Sequence, residues 1–151
     1  MAYELTTSVA NDIIQYIVVK IGDEQYGIDI RNIDNIVRMQ NITRVPKVPN
    51  YFIGVINLRG EVVPVMSLRL KMGLNKDEVT KDTRIIILKM GHDYIGILVD
   101  SVKEVVNVNS NDVEKVGFEN REEKNNFVYG VGKQEGGALI SLLDINAVLA
   151  E

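Results

Sequence analysis

Gly54-Val55-Ile56-Asn57-Leu58-Arg59-Gly60-Glu61-Val62-Val63-Pro64-Val65-Met66-Ser67-Leu68-Arg69 is two apolar β-type runs joined by a short polar turn that glycine closes. Period-two alternation on either side of such a turn predicts a hairpin, with Gly60 supplying the positive φ that tight hairpin loops require. Val62, Val63 and Val65 are β-branched, and Pro64, lacking an amide, points to a sheet edge or bulge. Arg59 stands at the tip. A guanidinium held there in water presents its fork of donors to a carboxylate or carbonyl of a partner, or simply solubilises the turn.

Upstream, Ile13, Ile14, Ile17, Val18, Val19 and Ile21 lead into Gly22-Asp23-Glu24-Gln25, after which Tyr26, Ile28 and Ile30 alternate with Gly27 and Asp29. That is strand, turn, strand. Ile30, Ile33, Ile36 and Val37 then follow a three-to-four spacing that predicts a short amphipathic helix. Arg44-Val45-Pro46-Lys47-Val48-Pro49 is an extended, proline-stiffened link that delivers the chain to the hairpin. Downstream, Leu68 to Gly73 reads as a helical turn closed by glycine, and residues 75–82 form a polar loop, the best internal boundary.

Beyond that loop the pattern repeats. Arg84 to Val106 carries a β-branched strand, a Gly-His-Asp turn, a tyrosine, and an isoleucine-rich strand holding one glycine. An aspartate, Asp100, then opens an expected short helix, as in residues 17–37. Gly130, Gly136, Ala138, Leu139, Ile140, Leu142 and Leu143 fall about 76 positions after Gly54, Gly60, Val62, Val63, Pro64, Met66 and Ser67, an internal duplication. Each half reads β-β-α-β-β, so the expected class is mostly β: two small curled sheets or barrels about a pseudo-twofold axis. Closing a sheet removes its exposed edges. Half a chain is too small for a good core of its own, and a shared apolar core, at about 25 cal/mol per Å², would stabilise both. Residues 12–151 are expected to form one domain of two intertwined barrel subdomains, built from the repeats at about 14–73 and 83–149, with a flexible N-terminus over 1–11. The duplication breaks at the hairpin tip, where Asn57-Leu58-Arg59-Gly60 is answered by Gly132-Lys133-Gln134-Glu135-Gly136. Repeated scaffold with an unrepeated arginine gives the tip functional weight.

Composition narrows the function classes. The chain has 151 residues, 46% hydrophobic and 25% charged, a globular balance for one ordinary domain. A net charge of −4 argues against a nucleic-acid partner, and the aromatics do not interleave with basic residues as stacking platforms do. Without cysteine there is no disulfide, thiol nucleophile or thiolate metal site. No export signal or membrane-spanning run is legible. His92, the single histidine, lies in a Gly-His-Asp turn and reads as solvated, leaving no histidine triad or metal cluster. Asp77-Glu78 and Glu122-Glu123 read as solvated loop charge, and the glycines at 130–137 lack the lysine and hydroxyl of a phosphate loop. Neither catalytic residues nor a cofactor or metal is implied. Asp112 to Lys115 reads as a turn of helix, and Phe118 either tucks under its polar loop or is offered to a partner. A binding module is the expectation; a nucleic-acid-binding barrel and an unrecognised hydrolase are less well supported.

Tyr26-Gly27-Ile28-Asp29-Ile30, Val45-Pro46-Lys47-Val48-Pro49, Gly54 to Gly60 with Val63-Pro64-Val65, and Gly96-Ile97-Leu98-Val99-Asp100-Ser101-Val102, in this order and spacing, resemble the CheW family from about Ile14 to Leu149. The resemblance implies two SH3-like five-stranded barrels in a cytoplasmic, non-catalytic adaptor of bacterial chemotaxis. Such an adaptor joins chemoreceptor tips to the regulatory domain of the histidine kinase CheA, within membrane-associated receptor arrays. By the same resemblance, Asn57, Leu58 and Arg59 with Ile33, Asp100 and Val102 would border a receptor-binding groove between the barrels. Ile53 and Val62 would offer an apolar contact to the kinase, and Phe118 a second, array-building one. Two positions depart from the family pattern: Asn35 stands where a glutamate is common, and Ser67 where an aspartate is. The same domain occurs within CheA and CheV, so a regulatory piece of a larger signalling protein is the alternative.

Overall fold

The computed structural model describes residues 12–115 and 127–150. Ten strands dominate it: β1 Ile13–Ile21, β2 Glu24–Asp29, β3 Ile33–Arg38, β4 Phe52–Leu58, β5 Glu61–Ser67, β6 Arg84–Met90, β7 Asp93–Val99, β8 Ser101–Lys115, β9 Val128–Gln134 and β10 Leu139–Leu143. They make two five-stranded sheets, as the mostly-β reading requires. One is a closed barrel in the order β1-β2-β10-β9-β8; the other runs β3-β6-β7-β5-β4. Each sheet therefore takes a hairpin from one sequence repeat and three strands from the other. Among the described residues, 12–18, 25–30, 103–115 and 127–150 form one compact unit, and 19–24 with 31–102 form the second. The polar loop 75–82 lies inside the second unit.

Each unit buries its own apolar cluster. In the barrel this is Tyr16, Val18, Val106, Val108, Ile140 and Leu142, with Tyr16 and Tyr129 joined hydroxyl to hydroxyl at 2.7 Å, so the buried phenol keeps a partner. In the second sheet it is Ile56, Val63, Val65, Ile85, Ile87 and Leu98. Gly27 and Gly96 occupy matching places in these cores. A Cβ on Gly27 would lie 3.1 Å from Leu142, and one on Gly96 2.8 Å from Ile85, so only glycine lets the facing side chains fill the space.

Three local expectations are corrected. Residues 30–37 are not a helix: a single 3-10 turn, Ile30–Asn32, gives way to β3. A bulge between Ile33 and Asn35 shifts the alternation by one, which produces a helix-like spacing of apolar residues in a strand. The helix expected after Asp100 and the helical turn at Asp112–Lys115 are both parts of the fifteen-residue strand β8, consistent with its run of β-branched valines. The proline-stiffened link is not extended throughout, since it bends at Pro46–Val48 with Lys47 at φ 60°. Leu68–Lys71 is a short helix as read, capped by the Ser67 side chain accepting from the Leu70 amide at 3.1 Å. Its counterpart, Ile145–Leu149, is capped by Asp144 and was not legible beforehand.

The duplication is real but its register changes by one. Val65 faces Gly96 across β5–β7, and Leu142 faces Gly27 across β10–β2. Ser67 and Asp144 both cap helices. These equivalences are offset by 77, whereas Gly54 and Gly130, paired with Val65 and Leu142, keep the offset of 76. The extra residue lies in the turn. Arg59-Gly60 is a two-residue loop between Leu58 and Glu61, whereas Gln134 bonds to Ala138 across three residues. One residue reverses every face beyond it: Leu139, matched by position to buried Val63, is 71% exposed and corresponds to Val62.

Candidate functional site

The β4–β5 hairpin forms as read, and its tip is more constrained than a glycine turn alone. Arg59 and Gly60 both have positive φ, 52° and 85°. That is the type I′ geometry, whose twist matches the flanking strands. Asn57 secures it, its Oδ1 accepting the Gly60 amide at 3.0 Å. Leu58 packs against the Ile56–Val63–Val65 cluster, while Asn57 and Arg59 are exposed. The guanidinium is therefore mounted on a braced turn next to a half-buried leucine.

A cleft of about 150 Å³ opens at this end of the sheet, lined by Leu58, Arg59, Glu61, Val63, Asp34 and Tyr94. Glu61 comes from the hairpin, Asp34 from the β3 bulge and Tyr94 from the start of β7. Sequence reading named Ile33 but missed Asp34, Glu61 and Tyr94. Strand pairing alone brings these distant positions to the tip, and no spacing along the chain signals it.

Asn57, Leu58, Arg59 and the β3 start at Ile33 thus share one end of the second sheet. Asp100 and Val102 do not. β5 runs from the tip at Glu61 to Ser67, which pairs in parallel with Leu98, so Asp100 lies past the far end of β7. At about 3.3 Å per residue that is roughly 20 Å along the strand. Asp100 is engaged there: its Oδ2 accepts from Arg69 Nη1 at 2.8 Å and from the Gly22 amide at 2.8 Å.

The apolar pair separates too. Val62 points away from the core at 69% exposure, opposite Asn57. Ile53 packs against the core cluster and lines a different cleft of about 650 Å³ with Phe52, Met39 and Ile42. Phe118 lies outside the described residues. Pro64 is on an inner strand, yet it pairs only with Val55, one residue before the parallel ladder with β7 begins at Val65.

Asp77, read as solvated, is half-buried. Ser67 donates its hydroxyl to Asp77 Oδ1, and Asp77 Oδ2 is buried without a hydrogen-bond partner. Burial pushes its carboxyl above the usual range; the Ser67 bond and Arg69 pull it down, and Asp100 adds to the rise. Arg69 also donates from Nε to the Asn75 carbonyl at 2.9 Å. The network fastens the loop after the short helix onto the ends of β5 and β7, a structural use of charge. Among the described residues there is no group of three or more acidic or histidine side chains arranged to hold a metal, and His92 is exposed in the β6–β7 turn.

Comparison with known proteins agrees with this architecture. The family model for the CheW-like domain matches residues 15–151. The Chemotaxis protein CheW of Helicobacter pylori (strain ATCC 700392 / 26695) is 40% identical over 91% of this chain and 82% of its own. That of Bacillus subtilis (strain 168) is 35% identical over 88% and 85%. The crystal structure of the scaffolding protein TtCheW from Thermoanaerobacter tengcongensis superposes with a TM-score of 0.80 at 29% identity, covering 93% of this chain and 90% of that one. Interleaved sheets, a braced Asn-Leu-Arg-Gly turn and a match along nearly the whole length lead to one conclusion: this chain belongs to the CheW family.

Proposed function

We propose that this chain is a non-catalytic chemotaxis adaptor that couples the cytoplasmic tips of chemoreceptors to the regulatory domain of the histidine kinase CheA. What supports the receptor half of this reading is the tip: a non-glycine residue held at φ 52° where glycine would be easier, with its guanidinium exposed beside a small cleft. Asn57 braces that tip, Leu58 supports it from the core, and Ile33 flanks it. The kinase half is assigned to the outward face of the same hairpin around Val62, whose exposure is high for a large aliphatic residue on a strand. The chain works at the inner side of the membrane in receptor arrays, recruited by these contacts. A regulatory piece of a larger CheV- or CheA-type protein is the less favoured reading, since the chain accounts for 82% and 85% of two proteins named CheW.

Arg59→Glu is expected to keep the fold and weaken capture of a receptor cytoplasmic fragment at least tenfold, by reversing charge at an exposed tip. Arg59→Gly is the control for strain: it should melt no lower than wild type and still lose receptor. Undiminished capture by both variants would remove the site. Val62→Asp should weaken binding of the CheA regulatory domain while leaving receptor capture intact; equal kinase affinity in a competition assay would relocate that surface.

A further inference from the structure

The sequence's acidic balance makes one local charge arrangement unexpected. β3 and β6 end their antiparallel ladder with Arg38 directly opposite Arg84. Directly opposed residues share a face with their Cβ atoms about 5 Å apart, and like charges there repel. The rest of this ladder pairs Ile36 with Ile86 and Val37 with Ile85, so the clash of charge is confined to its end. Arg84 is half-buried and fixed, its Nη1 donating to the carbonyls of Lys81 and Thr83, both at 2.8 Å. The loop that accepts these bonds is itself tied: the Thr80 amide donates to Thr83 Oγ1 at 2.9 Å, and the Asp82 amide to Thr80 Oγ1 at 3.1 Å. Arg38 is exposed. Among the described residues, no ion pair joins Arg38, Lys81 or Arg84 to a carboxylate, Asp82 included.

These residues line an open cleft of about 570 Å³ with Met39, Thr80 and Thr83. Three cations and one carboxylate leave a local charge of +2 on a chain whose net charge is −4. We propose that this cleft binds an acidic peptide segment of a partner protein. Guanidinium forks take carboxylates bidentately, and a carboxylate between Arg38 and Arg84 would turn their mutual repulsion into two charge-assisted contacts. The singly charged carboxylate suits the site better than phosphate, because Asp82 on the rim repels a dianion and the negative chain opposes a polyphosphate backbone. This surface involves neither Arg59 nor Val62.

The test is fluorescence anisotropy of a labelled hexaglutamate peptide with the full chain at low salt. Binding that falls as salt rises, weakened at least tenfold by Arg38→Glu and several-fold by Lys81→Glu, is the expected result, with Arg38→Lys in between and Arg44→Glu unchanged. Arg38→Glu places an acid opposite Arg84, so its Tm should equal or exceed the wild type's, and lost binding is then not lost folding. Lys81→Glu, on the loop, tests the site independently of the strand. No binding by wild type, equal affinity in both charge-reversal variants, or displacement of the peptide by inorganic phosphate at matched charge would overturn the proposal.

Discussion

Arg59 shows how a single residue trades stability for display. A non-glycine residue in the left-handed region costs about 1 kcal/mol, and here Asn57 offsets part of it by accepting the Gly60 amide. Ser67 and Asp77 make the second instance. Ser67 donates to Asp77, which an aspartate at position 67, the residue the family resemblance leads one to expect, would not do when ionised. Asp77 is held above its ordinary pKa by burial, so its folded form binds a proton more tightly than the unfolded chain does. Its contribution to stability is therefore fully present below the unfolded value near 3.8 and is lost as pH rises through the raised folded value. Asp77→Asn removes that charge, keeps Oδ1 as the acceptor for Ser67 and replaces the orphaned Oδ2 with a neutral amide nitrogen. The variant should be more stable than wild type at pH 7, and the gap should close as pH falls toward 4, read by chemical denaturation at each pH. A gap independent of pH would mean the carboxyl is not held up by burial.

At the scale of elements, the hairpin is fastened at its root as well as its tip. Thr43 and Val55 exchange both backbone bonds, at 2.8 and 2.9 Å, which pins the residue just before the proline-stiffened link against β4. Gly54 makes this approach possible: a Cβ there would fall 2.2 Å from the Thr43 carbonyl oxygen. Gly54→Ala should cost about 2 to 3 kcal/mol, because backbone rather than a flexible side chain has to give way. Gly60→Ala meets nothing within 4 Å and should cost only about 1 kcal/mol of turn strain. Urea denaturation of the two variants measures the contrast, and equal losses would show that Thr43 yields easily. The β3 bulge and the three-residue β9–β10 turn belong at this scale too. Each inserts one residue, and one residue decides which face a side chain presents.

At the scale of the whole molecule, the two sequence repeats exchange hairpins: β1-β2 completes the barrel of β8-β9-β10, and β6-β7 lies within the sheet of β3-β4-β5. Neither repeat contains all the strands of either sheet. Residues 12–73 and 83–150 expressed separately should therefore lack native β-sheet signal in circular dichroism, and mixed or co-expressed they should recover it. Cleavage of the intact protein within 75–82 should leave both sheets standing. A separately folded half would contradict this strand order.

What the amino-acid sequence determined by itself was local and periodic. Alternating β-branched runs and glycine turns specified strands, the duplication specified two sheets, and Asn57 to Gly60 specified a tight tip, because each depends on neighbours within a few positions. What tertiary structure alone decided was pairing. Which strands the repeats exchange, the reversal of Leu139, the separation of Asp100 from Arg59, the opposition of Arg38 to Arg84, and the burial of Asp77 all follow from which edges meet across long stretches of chain. Hydrogen-bond register acts between residues that the linear order keeps apart, so spacing along the chain carries no trace of it.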